Sequence, residues 1–352
     1  MNPLDDERAL RELDTGGMLE AVAGLPGHCR EGYELGRAVT EPPSGEGVAN
    51  IAFVGMGGSA VSGDVVRSLY AGRLRQPVLV LRSPELPEWC GPHTLVVASS
   101  YSGETAETLE AFDEAVRRGC RIVAVSSGGE LTRRASELDV ACVSVPGGFV
   151  PRAALGYLAL GALGALEAIG LVPSAVAELD EGVKELETLV AQLAPGVPPD
   201  INPAKQLAEA IGERIPVIWG AEGIGSVAAA RWKTQMNENG KVPAWSSSLP
   251  ELDHNEVVGW IEDRGRRAFI VALRYEGEHR DVAARFPLSI EIAQGSGALV
   301  QEVWARGRSA LARLLTLIVH GDFAATYLGL AHGVDPSEMD AITRLKRALA
   351  EA

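Results

Sequence analysis

Residues 51–72 read IAFVGMGGSAVSGDVVRSLYAG. The opening IAFV is an unbroken apolar run, the pattern of a short strand buried on both faces. It ends on Gly55-Met56-Gly57-Gly58, and the segment from Ser59 reads as a helix. Strand, glycine turn and helix together form the unit of a parallel α/β sheet. The unit recurs downstream. PVLVLRS (77–83) is a second strand, and TLVVASSYSGETAETLEAFDEAVRRG (94–119) is strand, polar loop and amphipathic helix. RIVAVSSGG (121–129) and ACVSVPGG (141–148) supply two more strands.

A second series begins further on. IPVIWG (215–220) predicts a strand, AEGIG (221–225) a glycine loop and SVAAARWKTQMNE (226–238) a helix. RAFIVALR (267–274) and LSIEIAQ (288–294) are predicted as further strands, with a helix near 279–285. Residues 311–330 and 336–352 read as helices. The pattern predicts two doubly wound parallel-sheet domains, each an αβα sandwich, with a helical C-terminal tail. Boundaries follow from composition. Residues 1–49 form an N-terminal helical extension broken by EPPSGEG, 50–195 a first domain and 204–352 a second, with the Pro-rich APGVPPDINP between them.

The chain has 352 residues, which is enough for about two cores at roughly 150 residues each. Its net charge of -15 argues against a nucleic-acid partner, which needs a basic stripe for phosphates. Cys29, Cys90, Cys120 and Cys142 have neither zinc-ligand nor disulfide-framework spacing and are expected as free thiols of a cytoplasmic protein. The six histidines never fall at metal-ligand spacing on one helix, so no metal site is expected. The N-terminus lacks the apolar core of a signal peptide. The apolar stretch 153–172 has the length of a membrane span, yet reads as a buried helix because soluble patterning continues on both sides.

Several constellations could carry chemistry. Gly57 and Gly58 let backbone amides approach a ligand at a helix N-terminus, where an anion is favoured. GMGGSA also fits a loose dinucleotide fingerprint, with Arg82 at the end of the second strand in reach of a 2′-phosphate, which keeps an NADP-binding enzyme in view. Ser99-Ser100-Tyr101-Ser102-Gly103-Glu104-Thr105 offers hydroxyl and amide donors at a second strand-to-helix junction, suited to a phosphomonoester. Glu238, between Asn237 and Asn239, closes a helix and is a candidate base. His254, in Glu251-Leu-Asp-His-Asn-Glu256, is a candidate acid/base, and Arg152 a candidate oxyanion stabiliser.

Six segments in order carry a resemblance: GMGGSAVSGD (55–64), SYSGETAETL (100–109), PRAALGY (151–157), NENGKVPAW (237–245), LPELDHNEVVGW (249–260) and GVDPSEMDAITRLKRAL (333–349). They make the chain similar to the bifunctional phosphoglucose/phosphomannose isomerases, built from two sugar-isomerase (SIS) domains. The resemblance implies an aldose–ketose isomerase interconverting glucose 6-phosphate or mannose 6-phosphate with fructose 6-phosphate through a cis-enediolate, without a cofactor. By the same resemblance Ser59, Ser100, Ser102 and Thr105, with the Gly57 and Gly58 amides, hold the phosphate. Glu238 is the proton-shuttling base and Arg152 stabilises the enediolate. His254 opens the ring from the neighbouring subunit of a homodimer, and Lys346 serves the ring oxygens. Glu104 stands where the family usually has Asn. Pointing inward, its carboxylate would repel a dianion, and such a chain could be a non-catalytic sugar-phosphate binder; pointing outward, it is harmless.

Overall fold

The computed structural model describes residues 4–350, the side chains of residues 346, 349 and 350 excepted. The chain divides into two compact units, Gly24–Glu187 with Gly307–Arg313, and the segments up to Ala23, Thr188–Arg306 and from Leu314 onward. They are called the first and second unit below. The stretch preceding residue 50 is therefore shared. Helices α1 (Glu7–Leu13) and α2 (Met18–Ala23) group with the second unit, and α3 (Leu25–Arg37) with the first.

The first unit holds a five-stranded parallel sheet in the order β2-β1-β3-β4-β5. Its strands are β1 (Asn50–Val54), β2 (Val78–Leu81), β3 (Thr94–Ser99), β4 (Arg121–Ser126) and β5 (Ala141–Ser144). Central β3 is buried at every position, and its middle, Leu95–Ala98, is the unbroken apolar run such burial favours. Helices α4 (Gly57–Tyr70), α5 (Ala106–Arg117) and α6 (Gly129–Glu137) connect the strands. After β5 a short 3-10 turn, Pro151–Ala154, leads into α7 (Leu155–Ala168). At 14 residues α7 spans about 21 Å, short of the roughly 30 Å a bilayer core needs.

Helices α3 and α7 touch backbone to backbone. A Cβ on Gly36 would stand 2.1 Å from the Gly161 carbonyl oxygen, and one on Gly164 2.3 Å from that of Tyr33. No side chain fits that seam, so glycine is required there. Helix α8 (Val176–Leu193) follows.

The second unit holds a four-stranded parallel sheet, order β7-β6-β8-β9, from β6 (Ile215–Ala221), β7 (Trp245–Leu249), β8 (Ala268–Arg274) and β9 (Leu299–Trp304). Helix α9 (Pro203–Ile211) precedes β6 with Asn202 as its cap, α10 (Ile224–Glu238) follows β6, and α11 (Arg280–Ala283) and α12 (Arg285–Gly295) precede β9. Helices α13 (Ala310–Ala331) and α14 (Asp340–Ala350) complete the chain. By length and composition α13 could cross a membrane, but it is almost wholly buried within the protein.

One prediction fails here: LSIEIAQ is not a strand but the body of α12. Its alternation imitates a period of two. The inward residues are nevertheless Phe286, Ser289 and Ala293, at helical spacing, while Leu288 and Ile292 face outward. Strands β7 and β9 have no forerunner in the sequence pattern. WSSSL carries three serines, and β9 is an edge strand with exposed Leu299 and Trp304, so neither reads as a buried run.

Candidate active site

In an open parallel sheet a crevice opens where successive connections leave in opposite directions. In the first unit that point lies between β1 and β3, and the two glycine- and serine-rich loops flank it. Ser59, in the first turn of α4, accepts a hydrogen bond through Oγ from the Tyr101 N–H at 3.2 Å. Ser100 Oγ donates to Thr105 Oγ1 at 3.0 Å. Thr105 caps α5 without spending its side chain on that helix. The Gly57 and Gly58 N–H groups at the start of α4 have no partner among the described residues. Ser102 is exposed and accepts from the Glu104 N–H at 3.2 Å. The starts of α4 and α5 thus meet at one switch point, with the Ser59, Ser100 and Thr105 hydroxyls near the Gly57 and Gly58 amides, groups of the kind that can donate to an anion.

Arg152 belongs to the same unit and is buried, 3% exposed. A Cβ on Gly58 would lie 3.2 Å from the Pro151 carbonyl oxygen and 3.6 Å from Arg152 Cα, so the absent side chain lets the Arg152 turn press onto the loop. A second tie runs through Tyr101, which no motif marks in this role. Its hydroxyl donates to the Pro146 carbonyl and accepts from the Phe149 N–H, both at 3.0 Å. Phe149 meets the His28 ring edge-on at 4.8 Å, and His28 stacks on Tyr157 at 4.7 Å. Tyr157 donates to Glu31 at 2.8 Å. Burial holds the His28 pKa below its ordinary value, with Glu31 pulling the other way. No spacing in the sequence signals these contacts, since they join segments far apart in the chain.

The Glu104 carboxylate turns away from the crevice. Its Oε1 accepts the Glu130 N–H at 2.9 Å, at the first turn of α6. Arg82 is likewise committed, in an ion pair with Asp64, which also holds Arg67 at 3.2 Å.

The switch point of the second unit, between β6 and β8, is differently furnished. Tyr275 lies over the glycine loop, 3.3 Å from where a Gly225 Cβ would stand, and Ser226 Oγ donates back to the Gly223 carbonyl at 3.0 Å. The two sheets repeat the same strand order, and among the described residues the serine- and threonine-rich loops stand at the switch point of the first unit.

Glu238 ends α10 and is half-buried. The neighbouring amides hold the surrounding chain: Asn237 Nδ2 donates to the Val242 carbonyl at 2.9 Å, and Asn239 Nδ2 to Thr326 Oγ1 at 3.4 Å. Lys241 Nζ donates to the carbonyls of Glu238, Pro336 and Glu338 at 2.6, 3.2 and 2.5 Å. His254 ends a 3-10 turn, Glu251–His254, and is exposed. Lys346 lies in α14, but its side chain is outside the described residues. Among the described residues no group of three or more His, Cys, Asp or Glu is placed to hold a metal ion.

Comparison with known proteins shows the family. Residues 200–349 match the family described as bacterial phospho-glucose isomerase C-terminal SIS domain. The chain is 35% identical over 336 residues to a bifunctional phosphoglucose/phosphomannose isomerase of Caldicellulosiruptor bescii, covering 95% of this chain and 99% of that one. It is 32% identical over 331 residues to the protein of the same name from Thermoplasma acidophilum, covering 92% and 99%. In fold it is similar to a hypothetical protein of Thermus thermophilus, with a TM-score of 0.75 at 19% identity over 98% of this chain and 93% of that one. With such coverage by relatives above 30% identity, the chain belongs to the bifunctional phosphoglucose/phosphomannose isomerase family and is a sugar-phosphate isomerase.

Proposed function

We propose that the chain interconverts glucose 6-phosphate, mannose 6-phosphate or both with fructose 6-phosphate. The observation that carries the proposal is the gathering of Ser59, Ser100 and Thr105 hydroxyls with the unpartnered Gly57 and Gly58 amides at one switch point. These donors, with Ser102, take the phosphate and position the reacting carbons several bonds away. Glu238 removes the C2 proton of the open-chain aldose and returns it to C1, while the hydroxyl proton passes from O2 to O1. Arg152 balances the negative charge of the cis-enediolate. His254 opens the ring, and Lys346 serves the ring oxygens. None of these steps requires a cofactor. The two aldoses differ only at C2 and share one enediolate.

The reading includes a cytoplasmic homodimer in which His254 serves the partner's site. Exposed Val258 and Ile261 beside the His254 turn, with Leu288 and Ile292 on the adjoining α12, support an apolar contact with a second copy. The outward turn of Glu104 removes the best motive for a non-catalytic binder. A coupled assay of fructose 6-phosphate turnover on wild type and Glu238→Gln tests the reading. Loss of a general base is worth about 10²–10⁴-fold. A wild type that binds the ketose without turning it over, or a Glu238→Gln protein as fast as wild type, refutes it.

A further inference from the structure

His254 sits between two carboxylates that are drawn into different parts of the second unit. Asp253 faces α12: its Oδ1 accepts from Ser289 Oγ at 2.6 Å and its Oδ2 from Arg285 Nη1 at 3.1 Å. Glu256 turns toward the sheet. Its Oε1 accepts the indole N–H of Trp219, fully buried on β6, at 2.9 Å and that of Trp260 at 3.2 Å. Its Oε2 accepts from Ser247 Oγ on β7. Between the anchors Asn255 braces the turn, donating through Nδ2 to Glu251 Oε1 at 2.8 Å and accepting the Glu256 N–H at 2.5 Å. Leu252 is packed in the core, whereas the His254 side chain is exposed and without a partner among the described residues.

The segment from Glu251 to Gly259 is two successive 3-10 turns. Such turns hold their shape poorly by their own hydrogen bonds. Their geometry here comes from side chains reaching outward, above all from one carboxylate gathering three donors. An acid/base must stand within hydrogen-bond reach of its proton, and a displacement of about 1 Å can cost on the order of 10²-fold.

We infer that Glu256, assisted by Asp253, is a positioning residue that aims His254 at the sugar ring. The inference rests on the ring-opening role proposed for His254. Glu256 itself acts through the backbone it anchors.

The test separates ring opening from proton transfer. Full-length wild type, His254→Ala, Glu256→Ala, Glu256→Gln and Asp253→Asn are assayed on a hexose 6-phosphate and on a four-carbon aldose 4-phosphate. The latter has no free hydroxyl able to close a five- or six-membered ring. Glu256→Ala is expected to lower kcat on the hexose on the order of 10–10²-fold and to leave the four-carbon substrate within about twofold, the pattern His254→Ala should also give. Glu256→Gln, which keeps one acceptor oxygen, is expected to lose less, and tryptophan emission should shift in both Glu256 variants. An open-chain aldonate 5-phosphate, mimicking the enediolate, is expected to inhibit wild type and Glu256→Ala equally and gives the same comparison without turnover. If Glu256→Ala proves unstable, Glu256→Gln and Asp253→Asn carry the comparison. Equal losses on both substrates, or an unimpaired hexose rate, overturn the positioning role. If instead His254→Ala treats the two substrates alike, the ring-opening reading of His254 fails, and the inference with it.

Discussion

The Glu104 carboxylate accepts the backbone N–H of Glu130 at 2.9 Å, joining the 99–105 loop to the start of α6. A carboxylate there satisfies one of the amides that a helix leaves unpaired at its N-terminus. Glu104→Ala is therefore expected to cost about 0.5–2 kcal/mol in urea unfolding, as the loss of a cap does, with no gain in substrate affinity. A KM that falls several-fold on removing this charge would instead place the carboxylate against the phosphate.

Tyr101 ties the 99–105 loop to the segment leading to Arg152. Tyr101→Phe keeps the ring but leaves the Phe149 N–H and the Pro146 carbonyl without their partner. The expected cost is about 1–3 kcal/mol of stability. A fall in kcat on the order of tenfold should accompany it as the Arg152 turn loosens. Denaturation and steady-state kinetics check both, and an unchanged kcat would mean that the turn holds its place without the tie.

Sharing of His254 between subunits has its own signature. Glu238→Gln and His254→Ala proteins, each strongly impaired on a hexose 6-phosphate alone, should regain roughly a quarter of wild-type activity when mixed and exchanged. Half of the dimers would then be hybrids with one intact site. Proven exchange without recovered activity would assign both residues to one chain's site.

His320 predicts a pH dependence of folding. Burial lowers its pKa to about 4, and its Nε2 is closed off without a partner. The ordinary value is about 6.5, so between about pH 6.5 and 4 the unfolded chain binds a proton that the folded chain refuses. The stability that depends on a neutral His320 is full above about pH 6.5 and is lost as pH falls through that window. His320→Phe, which keeps a ring beside Trp232, should flatten the slope of unfolding free energy by up to about 1.4 kcal/mol per pH unit. Parallel slopes for the two proteins would show that His320 does not titrate on unfolding.

Strands buried on both faces were legible from their unbroken apolar runs, as in IAFV and LVVA. Their glycine and serine loops stood out for the same reason, being sharp interruptions. Strand β9 at the sheet edge and the serine strand β7 were not legible, since partial exposure removes the signal. LSIEIAQ misled because a helix with two outward aliphatics mimics strand alternation. At the site, the Gly57–Gly58 turn and the Ser/Thr-rich loop 99–105 stand out in the sequence as candidate donors, while the part given to Ser59 rests on the family resemblance. The direction of Glu104, the bridge of Tyr101 and the anchorage of Glu256 do not stand out, because each depends on a partner that only the fold brings near.

The unequal switch points have a further consequence. The switch point of the first unit carries the Ser59, Ser100 and Thr105 hydroxyls, whereas at that of the second Tyr275 lies over the glycine loop. The proposed phosphate donors all belong to the first unit, and Glu238, His254 and Lys346 to the second. A descendant could thus trade one sugar for another, or one reaction for a neighbouring one, by altering the second unit alone, while its hold on the phosphate passed down unaltered.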